Sequence, residues 1–119
     1  MPDFVVDPES SVTLYEQLRT QIVEQVKNGE LIVGTKLPTV RKLATELGVA
    51  PYTVARVYRL LENDGFLETR GRNGTVVSAR DDTAESILQL AASEYAARAR
   101  ELGIAPDDAE RYIRSALRD

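Results

Sequence analysis

A mainly α fold with a small β wing, a winged helix-turn-helix followed by a two-helix tail, is predicted by three features of this sequence. First, two apolar stripes at helical spacing, Val40, Leu43, Ala44, Leu47 and then Val54, Val57, Tyr58, Leu61, are separated by only Gly48-Val49-Ala50-Pro51. Second, two β-prone runs, Phe66-Leu67-Glu68-Thr69 and Thr75-Val76-Val77-Ser78, flank Arg70-Gly71-Arg72-Asn73-Gly74, a stretch rich in the residues tight turns need. Third, the composition turns alanine-rich beyond Ser78, with no Gly or Pro from Thr83 to Leu102.

Taken in order, Phe4-Val5-Val6 precedes Asp7-Pro8, and the proline disfavours helix just upstream, so an extended arm is expected. A first helix should start near Thr13, whose spacing to Glu16 is that of a capping box. It carries a core stripe of Leu14, Leu18, Ile22 and Val26 and ends at Asn28-Gly29. Leu31-Ile32-Val33-Gly34 turns the chain, and Lys36-Leu37 is placed to add a short strand beside the wing before Pro38. Thr39 is positioned to cap the second helix, Gly48 to end it in the left-handed conformation, Val49 to plug the corner, and Pro51 to open the third helix. Ala50 is a poor cap, a deficit of roughly 1 kcal/mol that tertiary contacts must offset. Gly65 stops the third helix ahead of the hairpin.

Arg80-Asp81-Asp82 reads as a charged connector, so the chain divides into a head, 1–80, and a tail, 81–119. In the tail, one long helix should span Thr83 to Leu102, with Ala84, Leu88, Ala91, Tyr95 and Leu102 on one stripe and Arg98 interrupting it. Gly103 ends that helix and Pro106 starts another, with Asp107 and Asp108 in its first turn and Tyr112, Ile113, Ala116 and Leu117 on its apolar face. About 35 residues lack the apolar area to fold alone, so this pair is expected to pack against its copy in a second chain, as a dimerisation tail. Leu88, Ala91, Tyr95, Leu102, Tyr112, Ile113 and Leu117 are the candidate contacts.

Composition narrows the function. The chain has 119 residues, room for one compact domain and an appendage, and it contains neither cysteine nor histidine. Disulfides, thiolate or imidazole zinc sites and Ser-His or Cys-His nucleophile pairs are thereby excluded, and no cofactor is expected. No apolar run approaches the roughly 20 residues of a membrane span, and the acidic start, with Asp3 and Asp7, is unlike a secretory signal, so a cytoplasmic protein is expected. The net charge of −4 is unevenly spread. Residues 35–80 hold eight cations against four anions, a local +4 that leaves −8 on the remainder. Such a basic module can bind a polyanion, because counterion release depends on local contacts.

In a helix-turn-helix the second of the paired helices enters the major groove. Pro51, Tyr52, Thr53 and Arg56 are therefore candidates for base or phosphate contacts, with Arg56 able to donate two hydrogen bonds to a guanine and Ala55 at closest approach. Arg59 suits the DNA backbone, as do Lys36, Thr39, Arg41 and Lys42 around the start of the preceding helix. Arg72 at the wing tip suits a narrow minor groove, with Asn73, Gly74 and Thr75 letting the backbone approach phosphates. Simpler readings win elsewhere. Tyr58 shares the stripe of Val54 and Leu61 and belongs to the core. Gly71 and Gly74 lack the lysine and following helix of a nucleotide loop. Asp107-Asp108 is explained by the helix start rather than by a metal, and Tyr95 and Tyr112 by packing rather than by a ligand.

These residues resemble the GntR family of bacterial transcription regulators over Leu14 to Val77. The resemblance is carried by Leu14-Tyr15-Glu16-Gln17, Asn28-Gly29-Glu30-Leu31, Gly34, Leu37-Pro38-Thr39-Val40-Arg41-Lys42-Leu43-Ala44, Leu47-Gly48-Val49, Thr53-Val54, Leu61-Glu62, Gly65 and Gly74-Thr75. The short tail and Thr53-Val54-Ala55-Arg56-Val57-Tyr58 look like the YtrA-type subfamily, which implies a dimerising tail and genes often beside those of transporters. Pro51 and Ala55 stand where many members have arginine, and Arg72-Asn73 lengthens the usual wing turn, so base specificity does not carry over, whereas Arg41 and Gly74-Thr75 match.

The expectation is a homodimeric, sequence-specific regulator, a repressor on a palindromic operator in double-stranded DNA. A small-molecule effector would have to act at the dimer interface or between tail and head, by changing the spacing of the two heads. The alternative from another class is a winged-helix adaptor that binds an acidic protein partner without choosing among duplexes. A small Asp/Glu hydrolase is disfavoured, because no paired carboxylates converge.

Overall fold

The computed structural model describes residues 3–80 and 83–118, with the side chain of Asn73 outside the description. Asp81 and Asp82 of the expected connector thus lie outside the described residues. Five helices are seen: α1 (Leu14–Lys27), α2 (Val40–Leu47), α3 (Pro51–Asn63), α4 (Ala84–Glu101) and α5 (Pro106–Leu117). Two strands, β1 (Leu67–Thr69) and β2 (Thr75–Val77), pair antiparallel with Leu67 opposite Val77 and Thr69 opposite Thr75.

The core lies where α1, α2 and α3 cross. Leu18 and Ile22 of α1, Leu43 and Ala44 of α2, and Val54, Val57, Tyr58 and Leu61 of α3 are all buried there, closed from below by Leu37, Leu67 and Val77. Ile22, Val54, Val57 and Leu61 have no exposed surface, so truncating Ile22 or Leu61 to alanine would cost about 2–5 kcal/mol. At the α2–α3 corner Gly48 adopts φ +69, and Val49 N–H reaches back to Ala44 O at 3.0 Å, which ends α2 and turns Val49 against the core. Ala50 provides no side-chain cap to α3, as its residue type dictates, and Pro51 takes the first helical position.

The wing departs from the expected strands at both ends. Phe66 N–H closes α3 on Leu61 O at 2.9 Å, so β1 starts only at Leu67, although Phe66 O still accepts from Ser78 N. Between the strands Gly71–Asn73 form a 3-10 turn. Lys36 and Leu37 make an isolated bridge rather than a strand: Lys36 pairs with Val76, and Leu37 N–H donates to Thr75 O at 2.9 Å. Pro38, which has no N–H, cannot continue the ladder.

The N-terminal arm contributes more than an extended run. Phe4 enters the core, and the backbone around it is clasped by glutamines one turn apart on α1. Gln21 exchanges two hydrogen bonds with Val5, Gln17 accepts from Asp7 N at 2.7 Å and donates to Asp7 O, and Gln25 donates to Asp3 O at 3.1 Å. Side-chain amides thus substitute for a partner strand, satisfying backbone groups that a lone arm would leave to water.

The tail is a helical hairpin that has almost no core. No residue of α4 is buried, and Ala109 alone is buried in α5. Tyr95, a candidate for the dimer face, is half-buried, and its hydroxyl donates to Ala109 O at 2.7 Å, so it also ties α4 to α5 within the chain. Leu102 is the C-cap of α4 rather than its last helical residue. The radius of gyration is 15.8 Å with a long axis of 51 Å. A compact chain of this length would give about 13.5 Å, and the protruding tail accounts for the difference.

Tyr58 donates its hydroxyl to Pro38 O at 2.7 Å, and its phenol pKa is held far above the ordinary value, chiefly by burial and secondarily by the charge of Glu46. A phenol whose folded pKa is raised adds stability that is fully present below the unfolded value of about 10 and is lost as pH climbs from there toward the folded value. Tyr58→Phe should therefore cost about 1 kcal/mol at pH 8 through the lost hydrogen bond. Urea melts at pH 8 and pH 11 should also show a smaller alkaline loss for the variant than for the parent chain.

Candidate nucleic-acid interface

The first turns of α2 and α3 carry the candidate side chains because both helices bury their opposite faces. Thr39 caps α2 by accepting from Lys42 N at 3.1 Å, which leaves Arg41 and Lys42 exposed in the first turn, at the positive end of the helix dipole. In α3 the stripe from Val54 to Leu61 faces inward, so Pro51, Tyr52, Arg56 and Arg59 are exposed, and Thr53 and Ala55 are half-exposed. Tyr52, at 70 % exposure, is an apolar ring held in water. Lys36 runs alongside the wing turn: its Cε lies 3.8 Å from where a Cβ on Gly74 would sit. Gly74, at φ +70, joins the 3-10 turn to Thr75, and Arg72 stands exposed in that turn. The Asn73 backbone belongs to the turn, and its side chain lies outside the description.

Charge pairing engages three arginines of the tail and none of these candidate cations. Among the described residues the ion pairs are Arg70–Glu68, Arg98–Glu101, Arg111–Asp108 and Arg114–Glu110. Lys36, Arg41, Lys42, Arg56, Arg59 and Arg72 take part in none of them. Their positive field is available to an external polyanion.

One neighbour was not visible in the sequence reading. The Arg56 guanidinium stacks over the Tyr15 ring of α1, 4.3 Å from its centroid, so the free side chain lies against α1. Leaving an exposed ring of this kind costs about 0.5–1 kcal/mol. A bidentate guanine contact is worth about 1–3 kcal/mol, so reaching a base remains favourable. The pairing of an aromatic residue at position 15 with a cation at position 56 has no sequence signal, since the two meet only through the α1–α3 crossing.

Head and tail also meet through residues that sequence reasoning left unassigned. Val33 N–H donates to Gln89 Oε1 at 3.1 Å, and Ser93 Oγ donates to Val33 O at 2.6 Å. Beside this seam a groove of about 710 Å³ is lined by Lys27, Val33, Phe66, Arg80 and Gln89 among others, with the Arg80 guanidinium 4.0 Å from the Phe66 ring centroid.

Residues 14–77 match the family described as bacterial regulatory proteins, gntR family. The chain belongs to the GntR family. This GntR-family chain is 50 % identical over 108 residues, 91 % of its length and 88 % of the relative's, to the HTH-type transcriptional regulator Rv1152 of Mycobacterium tuberculosis (strain ATCC 25618 / H37Rv). It is 41 % identical over 78 residues, 66 % of its length and 60 % of the relative's, to the HTH-type transcriptional repressor YtrA of Bacillus subtilis (strain 168). The solved structure of YtrA from Sulfolobus acidocaldarius, a GntR-family transcription factor, superposes with a TM-score of 0.59 at 30 % identity, covering 96 % of this chain and 98 % of that one. The AraR DNA-binding domain in complex with operator ORX1 superposes with a TM-score of 0.55 at 26 % identity, covering 62 % of this chain and 94 % of that one. The GntR-family chain is therefore a YtrA-like DNA-binding transcription regulator and not an enzyme.

Thr39→Ala should remove the α2 cap and lower stability by about 1 kcal/mol in denaturant melts. Thr39→Ser, which keeps the accepting oxygen, should retain most of it.

Proposed function

We propose that this GntR-family regulator represses transcription as a homodimer, by occupying an inverted-repeat operator in the cytoplasm. The head, residues 1–80, supplies the contacts to DNA, and the tail, residues 81–119, supplies the pairing. The observation that carries the reading is the tail surface. Ile87, Leu88, Leu102, Tyr112, Ile113 and Leu117 are exposed large hydrophobics on two helices with almost no core between them. Leu88 at 71 % and Leu117 at 78 % exposure are left uncovered among the described residues, and Ala91 is exposed on the same stripe. A second copy offers the same apolar face, and self-complementary pairing about a two-fold axis presents two heads to a palindrome. Repression is supported by the name of the Bacillus subtilis YtrA relative, a transcriptional repressor.

Within each head, Lys36, Thr39, Arg41, Lys42 and Arg59 are assigned to backbone phosphates. Pro51, Tyr52, Thr53 and Arg56 face base edges in the major groove, with Ala55 at closest approach, and Arg72 with Asn73, Gly74 and Thr75 follows the minor groove. Pro51 and Ala55 carry no donor of their own, so Tyr52 and Arg56 bear most of the discrimination on α3. A small-molecule effector would act at the dimer interface or in the open head–tail groove beside Val33, Phe66 and Arg80, by changing the spacing of the two heads.

Selection from random duplexes followed by footprinting should return one palindrome. Equal grip on all duplexes would overturn the reading in favour of an adaptor. Arg41→Ala should weaken binding to every duplex and make the salt slope shallower by about one unit, whereas Arg56→Ala should relax preference at a single base position at a cost of about 1–3 kcal/mol. Leu88→Glu combined with Ile113→Glu should give monomers in sedimentation and lower operator affinity on the order of a hundredfold, with half-site binding preserved.

A further inference from the structure

We propose that the seam between α4 and the loop around Val33 and Gly34 determines which operator spacing the dimer accepts, with Gln89 and Ser93 as positioning residues that never touch DNA. The inference rests on the homodimer reading above. In a dimer joined through its tails, the separation of the two recognition helices depends on the tail–tail contact and on the angle of each head upon its own tail. That angle is set where α4 meets the head.

The seam is built for fixity. Gln89 and Ser93 lie four residues apart on one face of α4 and hold both backbone groups of a single residue, the N–H of Val33 at 3.1 Å and its carbonyl at 2.6 Å. The next residue, Gly34, sits at φ +87, and a Cβ there would come within 3.0 Å of Ser93 Cβ and 3.1 Å of Leu90 Cδ1. The tail therefore approaches so closely that a side chain at position 34 would push it away, and the backbone there also favours glycine. Gly34 N–H in turn donates to Val77 O at 2.9 Å, and Val77 N–H donates to Thr35 O at 2.9 Å, which fastens the same loop to the base of the wing. The tail thus grips the head through the segment that carries the wing and leads into α2. A tilt here moves the recognition helix of one head relative to that of the other, and a shift of one base-pair step, about 3.4 Å, takes it off its half-site. Two neighbouring hydrogen bonds consequently bear on register between half-sites, a property usually sought in residues that contact DNA.

The test uses the full chain and a panel of duplexes in which the selected half-site is repeated in inverted orientation, with the spacer changed one base pair at a time. A single half-site duplex and sedimentation serve as controls. The parent chain should prefer one spacing over its neighbours by at least about tenfold, because simultaneous engagement is lost when the heads do not match. Gln89→Ala with Ser93→Ala, both on a helix that alanine favours, should leave the dimer and half-site affinity within about twofold while the spacing preference falls to about threefold or less. Gln89→Glu, which keeps an acceptor for Val33 N–H, should retain the sharp preference. A double variant with an undiminished preference at the same spacing, or a parent chain indifferent to spacing, would overturn the proposal. A monomeric parent chain in sedimentation would instead overturn the dimer reading on which it rests.

Discussion

One face of α3 is consumed by the core, and that single commitment dictates what the rest of the head can present. Val54, Val57, Tyr58 and Leu61 are packed against α1 and α2 with almost no exposed surface, and Tyr58 is further pinned by its hydroxyl on Pro38 O. Rotating α3 by even one residue would bury Arg56 or Arg59 and expose a valine, at a cost of several kcal/mol in lost apolar burial and desolvated charge. The helix therefore has one orientation, and Tyr52, Arg56 and Arg59 are exposed as a consequence of what is buried behind them, Arg56 folding back over the Tyr15 ring. The missing cap at Ala50 is tolerated for the same reason: tertiary packing holds the start of α3, and Pro51 supplies the right φ.

The tail obeys a different balance. Its two helices are stabilised by the Thr83 cap of α4, by exposed ion pairs at i, i+3 and i, i+4 spacing, and by the Tyr95 hydroxyl, each worth little alone. What it lacks is buried apolar area. An apolar surface of this kind on a small acidic appendage is a reason for association, whereas the surface of the head is a reason for binding a polyanion. Charge follows the same division, with the net positive stretch confined to residues 35–80 of a chain whose total is −4. Overall pI is a poor guide to the partner of such a protein, because the field felt by DNA is local and falls off over about 8–10 Å at ordinary salt.

Much of the head was legible because its signals are local. The apolar stripes, the caps at Thr13 and Thr39, the left-handed Gly48 and the prolines that open α3 and α5 each act within one or two helical turns, and each occurs where the pattern places it, whereas Thr83, expected as the first residue of α4, is its N-cap. The candidate interface was legible to the same degree, since exposure on α2 and α3 follows from the stripes. Less was readable where one element meets another. Glutamines at 17, 21 and 25 have a regular four-residue spacing that marks a face of α1, yet nothing in that spacing says the face holds the backbone of the N-terminal arm. The stripe position of Tyr95 likewise says nothing of the bond its hydroxyl makes to Ala109 O of α5.

By itself, the sequence determined the order and ends of the helices, the basic character of the segment from Lys36 to Arg80, and the exclusion of thiol and imidazole chemistry, because periodicity, capping and residue type are properties of neighbours along the chain. Only the tertiary structure decided that Phe4 completes the core, that Arg56 rests on Tyr15, and that Val33 and Gly34 receive the tail. Those pairs stand from about 40 to 60 residues apart, or join an arm to a core assembled from three helices. Their contacts depend on crossing angles and close approach, which arise from packing in three dimensions and leave no mark on local sequence.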